Sequence, residues 1–188
     1  EKPPLDVQGK VYVAPLTTVG NLPFRRVVCD LGADVTVGEM ALATSVLSGS
    51  AGEASLLRRH PCERVFGVQL AGNNGDALAR CAEVVDRELD VDFIDLNCGC
   101  PLDNLCNKGI GAGLMCRENK LVGIAAQMSR AARCPVTVKM RAGYADKKPT
   151  AAKIIRKLRL GGAVAAVGVH GRSRQQRYSR LADWDYIA

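Results

Sequence analysis

The 188 residues carry 47% hydrophobic and 24% charged side chains, a balance that suits one packed domain and excludes a disordered tail. No apolar run approaches the ~20 residues of a membrane-spanning helix, and Glu1-Lys2-Pro3-Pro4 lacks the layout of a secretory leader. Charge is uneven, with 12 basic against 16 acidic residues over 1–129 and 14 against 3 over 130–188, so the second half suits a polyanion such as nucleic acid or carries solvated helix faces.

Short β-branched or apolar runs recur along the chain: Lys10–Pro15, Ala33–Val37, Val65–Leu70, Phe93–Cys98, Val136–Met140 and Val164–His170. Their length and residue types predict buried parallel strands. Helical patterns fill four of the gaps. Leu22–Leu31 follows Asn21 as N-cap with Pro23 in the first turn. Asp76–Leu89 has apolar residues on a helical period, with Asp76 as the expected cap. Lys120–Ala132 and Thr150–Leu160 follow the same pattern, and Gly161-Gly162 predicts the end of the latter. Serial strand–helix units predict an α/β protein with a parallel sheet, either an open doubly wound sheet or a (β/α)8-type TIM barrel. No Gly-x-Gly-x-x-Gly follows the first strand, and polar residues gather at strand ends, so the barrel is favoured. Only six units are visible. The expectation is an extension over residues 1–9 and a partial barrel over 10–188, with strands seven and eight and any following helical domain absent, and no initiator Met.

The eight cysteines include no Cys-x-x-Cys pair, and His60 and His170 are the only histidines, so no metal site is expected. Scattered thiols among apolar neighbours predict a reduced intracellular protein, in cytoplasm or nucleus with an organelle left open. Four strand ends carry chemistry. Asp95–Pro101 ends a strand at Asn97 and turns at Gly99, which presents a carboxamide and the Cys100 thiol, a group that can give or take a proton. Cys98 is the competing thiol and is expected to be packed. Lys139 alternates with Val138 and Met140, so it points inward and needs a carboxylate, a phosphate or an electron-rich ring. His170-Gly171-Arg172 is an anion-binding candidate, and Arg172, Arg174, Arg177 and Arg180 with Tyr178 suit RNA phosphates and stacking, or form a solvated loop. The glycines of 109–113 lack a P-loop ending and predict a flexible lid beside Cys100.

These segments in order resemble the tRNA-dihydrouridine synthases, and most of all their eukaryotic type-3 branch, which modifies the tRNA variable loop. The matches are Ala14–Thr18 with Asn21–Arg25, Gln69, Asn97-x-Gly-Cys100-Pro101, Lys108-Gly109 with Gly111, Lys139-x-Arg141, His170-Gly171-Arg172, and Tyr178 with Ala182-Asp183-Trp184. The resemblance implies reduction of a uracil C5=C6 bond in tRNA, with FMN hydride going to C6, a proton from Cys100 to C5, and NADPH (or NADH) as reductant. It assigns Pro15, Leu16, Gln69, Lys139 and His170 to FMN. It assigns Asn97 and Arg141 to the uracil, and the basic second half, with Arg172, Arg174 and Arg177, then guides the RNA backbone. It implies an extruded target base. It also places the phosphate-holding loops after strands seven and eight. Leu16 replaces the Met of many relatives, and the CCCH zinc fingers frequent in that branch are not in this sequence. Two rival readings stay open. One is a non-catalytic RNA-binding or partner module that keeps the barrel motifs as scaffold. The other is an FMN barrel acting on a small pyrimidine or enone. Oligomeric state is left open.

Overall fold

The computed structural model describes residues 4–188. The chain forms β1 (Tyr12–Val13), α1 (Leu22–Asp30), β2 (Val35–Val37), β3 (Ala41–Leu42), α2 (Ala43–Leu47), α3 (Ala51–Ser55), β4 (Val65–Ala71) and α4 (Gly75–Glu88). It continues through β5 (Phe93–Cys98), α5 (Asp103–Cys106), a 3-10 segment over Gly111–Arg117, α6 (Glu118–Ala131), β6 (Val136–Gly143), α7 (Ala151–Gly161), β7 (Ala166–Ser173) and α8 (Trp184–Ile187). Every strand pairing is parallel, and the order β1-β2-β4-β5-β6-β7 follows the chain, with β3 added beside β4. Strands in chain order, separated by helices, make a partial (β/α) barrel rather than a doubly wound sheet, whose order reverses at its centre.

The alternation of side chains in each strand divides the core in two. Outward residues Val68, Leu70, Ile94, Leu96, Cys98, Val136, Val138 and Met140 pack with Leu78 and Val85 of α4, Leu121 and Met128 of α6, and Ile154 and Leu158 of α7. Inward residues form tiers set by the register. Val35, Val37 and Phe93 make an apolar floor with Leu5, Val7 and Val65. The Phe93 ring lies over Gly67, where a Cβ would come within 2.3 Å of it, so the floor closes only over a residue without a side chain. The next tier is Gln69, Asp95 and Thr137, directly opposite one another. Above it come Asn97, Lys139 and Gly168, then Arg141 and His170.

Asn21 caps α1 through Phe24 N–H, and α7 closes at Gly162 in the left-handed conformation, both as the sequence predicts. The cap of α4 differs: the Asn74 side chain accepts from Ala77 N–H, and Asp76 sits within the first turn. The structure also shows short elements not expected from the sequence, among them β3, α2, α3, α5 and the 3-10 segment. The expected first strand shrinks to two paired residues. Asp86 ties the outer layer together. Its carboxylate accepts from Cys134 N–H at 2.8 Å and Arg133 Nε at 3.1 Å, joining α4 to the loop before β6. Burial opposes its charge, but these donors win and hold it down at about 2.

Candidate active site

The C-terminal ends of β4, β5, β6 and β7 deliver the polar residues to one place. A cavity of about 80 Å³ is lined by Pro15, Leu16, Gln69, Asn97, Cys100, Lys139, Arg141, His170 and Tyr178, among others. A groove of about 370 Å³ continues from it along Tyr12, Pro15, Leu16, Lys139, Gly168, His170 and Tyr178. Cys100, Asn97, Lys139 and His170, far apart in the chain, therefore share one pocket. Arg172, at the end of β7, and Arg174 and Arg177, in the loop after it, are outside this lining.

A continuous hydrogen-bonded chain crosses the base of the cavity. Thr137 Oγ1 donates to Asp95 Oδ1 at 2.6 Å, and Gln69 Nε2 donates to Asp95 Oδ2 at 2.7 Å. Asn97 Nδ2 donates to Gln69 Oε1 at 2.6 Å. Asn97 Oδ1 then accepts from the N–H groups of Gly99 at 3.2 Å and Cys100 at 3.0 Å. Asn97 thus holds the turn that carries Cys100, with one Nδ2 hydrogen left over. Burial pushes the Asp95 carboxyl up, while Thr137, Gln69 and the Lys139 charge hold it down.

Cys100 is 7% exposed, and burial pushes its thiol up against the lowering pull of Leu102 N–H and Arg141. It is a neutral thiol at pH 7, able to release a proton to a partner placed against it. Cys98 is fully buried on the opposite face of β5, in the layer under the helices, so it does not compete for the cavity. Cys106 Sγ lies 3.4 Å from the Cys100 carbonyl. The 109–113 segment is not the expected flexible lid. From Gly111 on it is the buried start of the 3-10 segment, whose Ala112 N–H donates to Cys100 O at 2.9 Å. Gly111 has φ +61°, and a Cβ there would fall 2.8 Å from that oxygen, so the turn wedges the thiol loop from behind.

Lys139 stands between Asn97 on β5 and Gly168 on β7 and lines the cavity. Its ammonium makes no hydrogen bond or ion pair among the described residues. Burial lowers its pKa, and Asp95 partly restores it. His170 is held neutral, down at about 4, by burial and by the charges of Arg141, Lys139 and Arg172. Arg172 Nη1 lies 3.1 Å from His170 Nε2, which makes Nε2 the acceptor and leaves the ring proton on Nδ1.

Arg141 is 2% exposed and works as a clamp. Its Nε donates to Gly99 O at 2.8 Å, and its Nη1 reaches Ser173 O at 3.1 Å and Arg177 O at 3.3 Å. The guanidinium also lies 5.6 Å from the Tyr178 ring centre. The arginine loop is internally tied as well. Arg174 and Arg177 pair with Asp103, Arg172 Nε donates to Arg180 O at 2.6 Å, and Arg174 stacks over Tyr144. Asp95, Thr137 and Asp103 were not singled out as functional from sequence. A period-two reading back from Asn97 and Lys139 would have placed Asp95 and Thr137 on the same inward face.

The family model described as "Dihydrouridine synthase (Dus)" matches residues 12–188. The chain belongs to the dihydrouridine synthase family. It is 52% identical over 187 residues to a Rattus norvegicus protein named tRNA-dihydrouridine(47) synthase (NAD(P)(+))-like, and 50% identical to the Homo sapiens protein of that name. A Coprinopsis cinerea protein named tRNA-dihydrouridine(47) synthase (NAD(P)(+)) is 52% identical over 190 residues. Each of these matches covers all of this chain. The chain spans only 29%, 29% and 28% of the length of those relatives, respectively. No described helix is long and apolar enough to cross a membrane.

The donor set of the cavity fits a flavin. A half-buried ammonium with no ion pair among the described residues faces an open groove, beside two carboxamides and a neutral imidazole. The apolar Pro15 and Leu16 border the same groove and offer a surface for a flat ring.

Proposed function

We propose that this chain is catalytic barrel of a tRNA-dihydrouridine synthase that reduces a uridine of the tRNA variable loop, at position 47, using FMN and NADPH or NADH. The observation that carries the reading is the convergence of Gln69, Asn97, Cys100, Lys139 and His170 on one cavity in a chain matched by the family over 12–188. When bound, reduced FMN supplies hydride for C6 of the uracil ring, and the nicotinamide restores it. Lys139, His170, Gln69, Pro15 and Leu16 would hold the flavin, since all five line the cavity. Cys100 gives its Sγ proton to C5, and the thiolate left behind recovers a proton from solvent. The thiol is suited to this because burial keeps it protonated at neutral pH.

Asn97 and Arg141 border the reacting ring. Asn97 can offer only its remaining Nδ2 hydrogen, and Arg141 only its Nη2 group, because their other polar atoms are engaged within the protein. Arg172 at the end of β7, with Arg174 and Arg177 in the loop after it, faces the RNA backbone. The uridine leaves its stack to reach the cavity. The test is direct. The full chain is incubated with FMN, NADPH and tRNA lacking dihydrouridine, and the tRNA is analysed by mass spectrometry. A gain of two hydrogens at uridine 47, reduced in Cys100→Ala, supports the reading. Unchanged tRNA from flavin-loaded protein would sink it.

A further inference from the structure

Asp95 stands out as a buried acid on an inward strand position, where barrel interiors are filled with branched apolar residues. It is 1% exposed, and the chemistry assigned to Cys100 makes no direct use of it. Its place becomes clear when the hydrogen-bonded chain is read from the cysteine inward. The N–H groups of Gly99 and Cys100 can only donate, so the atom of Asn97 that meets them must be its oxygen. The Asn97 NH₂ is thereby turned toward Gln69 and needs an oxygen there. That turns the Gln69 NH₂ toward position 95, at 2.7 Å. The sequence of donors and acceptors therefore has one workable direction, and it terminates on an oxygen supplied by residue 95. Thr137 completes that terminus from β6, and the strand register puts Gln69, Asp95 and Thr137 in one row.

We propose that Asp95 is a positioning residue for Cys100: by presenting an acceptor oxygen to Gln69, it fixes the orientation of both carboxamides and thereby the turn that carries the thiol. Asp95 is not among the residues lining the cavity or the groove. It acts through Gln69, opposite it on β4, and then through Asn97, two residues above it on the same face of β5. The requirement is for an oxygen facing Gln69, not for a charge. An Asn at position 95 can meet it, because its NH₂ can donate to the Thr137 hydroxyl while its carbonyl accepts from Gln69. A Leu of similar size cannot, and it leaves the Gln69 NH₂ buried without a partner, free to turn. The inference deepens the proposed reaction and rests on it only for the consequence to proton delivery. The geometric claim stands apart from flavin and tRNA.

The test is amide hydrogen exchange on the full chain without flavin, read at Gly99 and Cys100, with Ile94 and Leu96 of the same strand as internal controls. In Asp95→Leu the Gly99 and Cys100 amides are expected to exchange roughly tenfold faster than in the unchanged protein, because a bond of ordinary strength has been lost. Ile94 and Leu96 keep their protection. In Asp95→Asn all four amides stay within about twofold of the unchanged protein, since the acceptor is retained. Unchanged exchange at Gly99 and Cys100 in Asp95→Leu overturns the proposal, and so does an equal loss in Asp95→Asn. If Asp95→Leu also releases Ile94 and Leu96, the strand itself has opened, and Gln69→Leu takes its place. That variant must free the loop amides while the strand amides stay protected, or the proposal fails. A silent tRNA assay would strike the proposed reaction and leave this result untouched.

Discussion

The two faces of strands β4 to β6 are built on opposite principles. The outer face, with Leu70, Ile94, Leu96, Val138 and Met140, is wholly apolar and packs against α4, α6 and α7. Such packing is non-directional, and each residue contributes through the area it removes from water. The inner face carries Gln69, Asp95, Asn97, Thr137 and Lys139, and each bond there fixes the direction of the next. The same strands are thus held from outside and oriented from inside. Damage to the outer face should weaken the fold and spare the geometry of the mouth. Damage to the inner face should do the reverse.

The largest expected effect is at the mouth. Cys100→Ala should lower uridine reduction by ~10²–10⁴, the usual worth of a positioned proton donor. Its unfolding midpoint in urea should stay close to that of the unchanged chain. Single-turnover kinetics beside a denaturation curve would check both halves, and full activity in the variant would remove the donor assignment. On the outer face, Leu96→Ala should cost about 2–5 kcal/mol of unfolding free energy, because α4 and α6 cannot collapse fully into the space. The pH dependence of alkylation at Cys100 should be unaltered in that variant. A change there would break the separation between the faces.

Asp86→Ala should cost about 1–3 kcal/mol, by leaving the Cys134 N–H unsatisfied at the edge of the outer layer. The carboxylate is held low when folded, so its contribution is complete above about pH 4 and is lost as the pH falls toward about 2. A stability profile against pH should flatten at its acid end in the variant. The smallest effect concerns His170. Its folded pKa lies near 4 against 6.5 in the unfolded chain, so the stability tied to the neutral ring is complete above pH 6.5. That stability declines as the pH falls from 6.5 toward 4. An NMR titration of the ring with a midpoint at 6 or above would contradict the crowd of cations described around it.

Much of this was legible because β-strands advertise themselves by length and residue type. The five strand runs from Ala33 onward were found within a few residues of their observed limits, and the polar residues at their ends did meet in one cavity. The elements that escaped are those whose stability does not come from their own sequence. β3 pairs over only two residues, and α2 and α3 have five residues each, too few for a helix to persist without the surrounding fold. Asn74 displaced Asp76 as a cap because either side chain can accept a helix N–H, and the tertiary course of the chain chose between them. The glycines of 109–113 look like a hinge in sequence. The packing of Gly111 against Cys100 and of Gly113 against Cys106 shows instead that small residues can serve close contact as well as mobility. Asp95 was passed over because a single acid in an apolar strand carries no motif; only the register places it between Gln69 and Thr137.

The wedge behind the thiol has a further consequence for how this pocket can vary. Gly111 meets the carbonyl of Cys100 at a separation that no larger residue can occupy, and its backbone adopts a shape that other amino acids resist. The depth of the sulfur below the rim is consequently set by main chain pressed on main chain. Substitutions around the opening can reshape the mouth, while the position of the thiol stays constant.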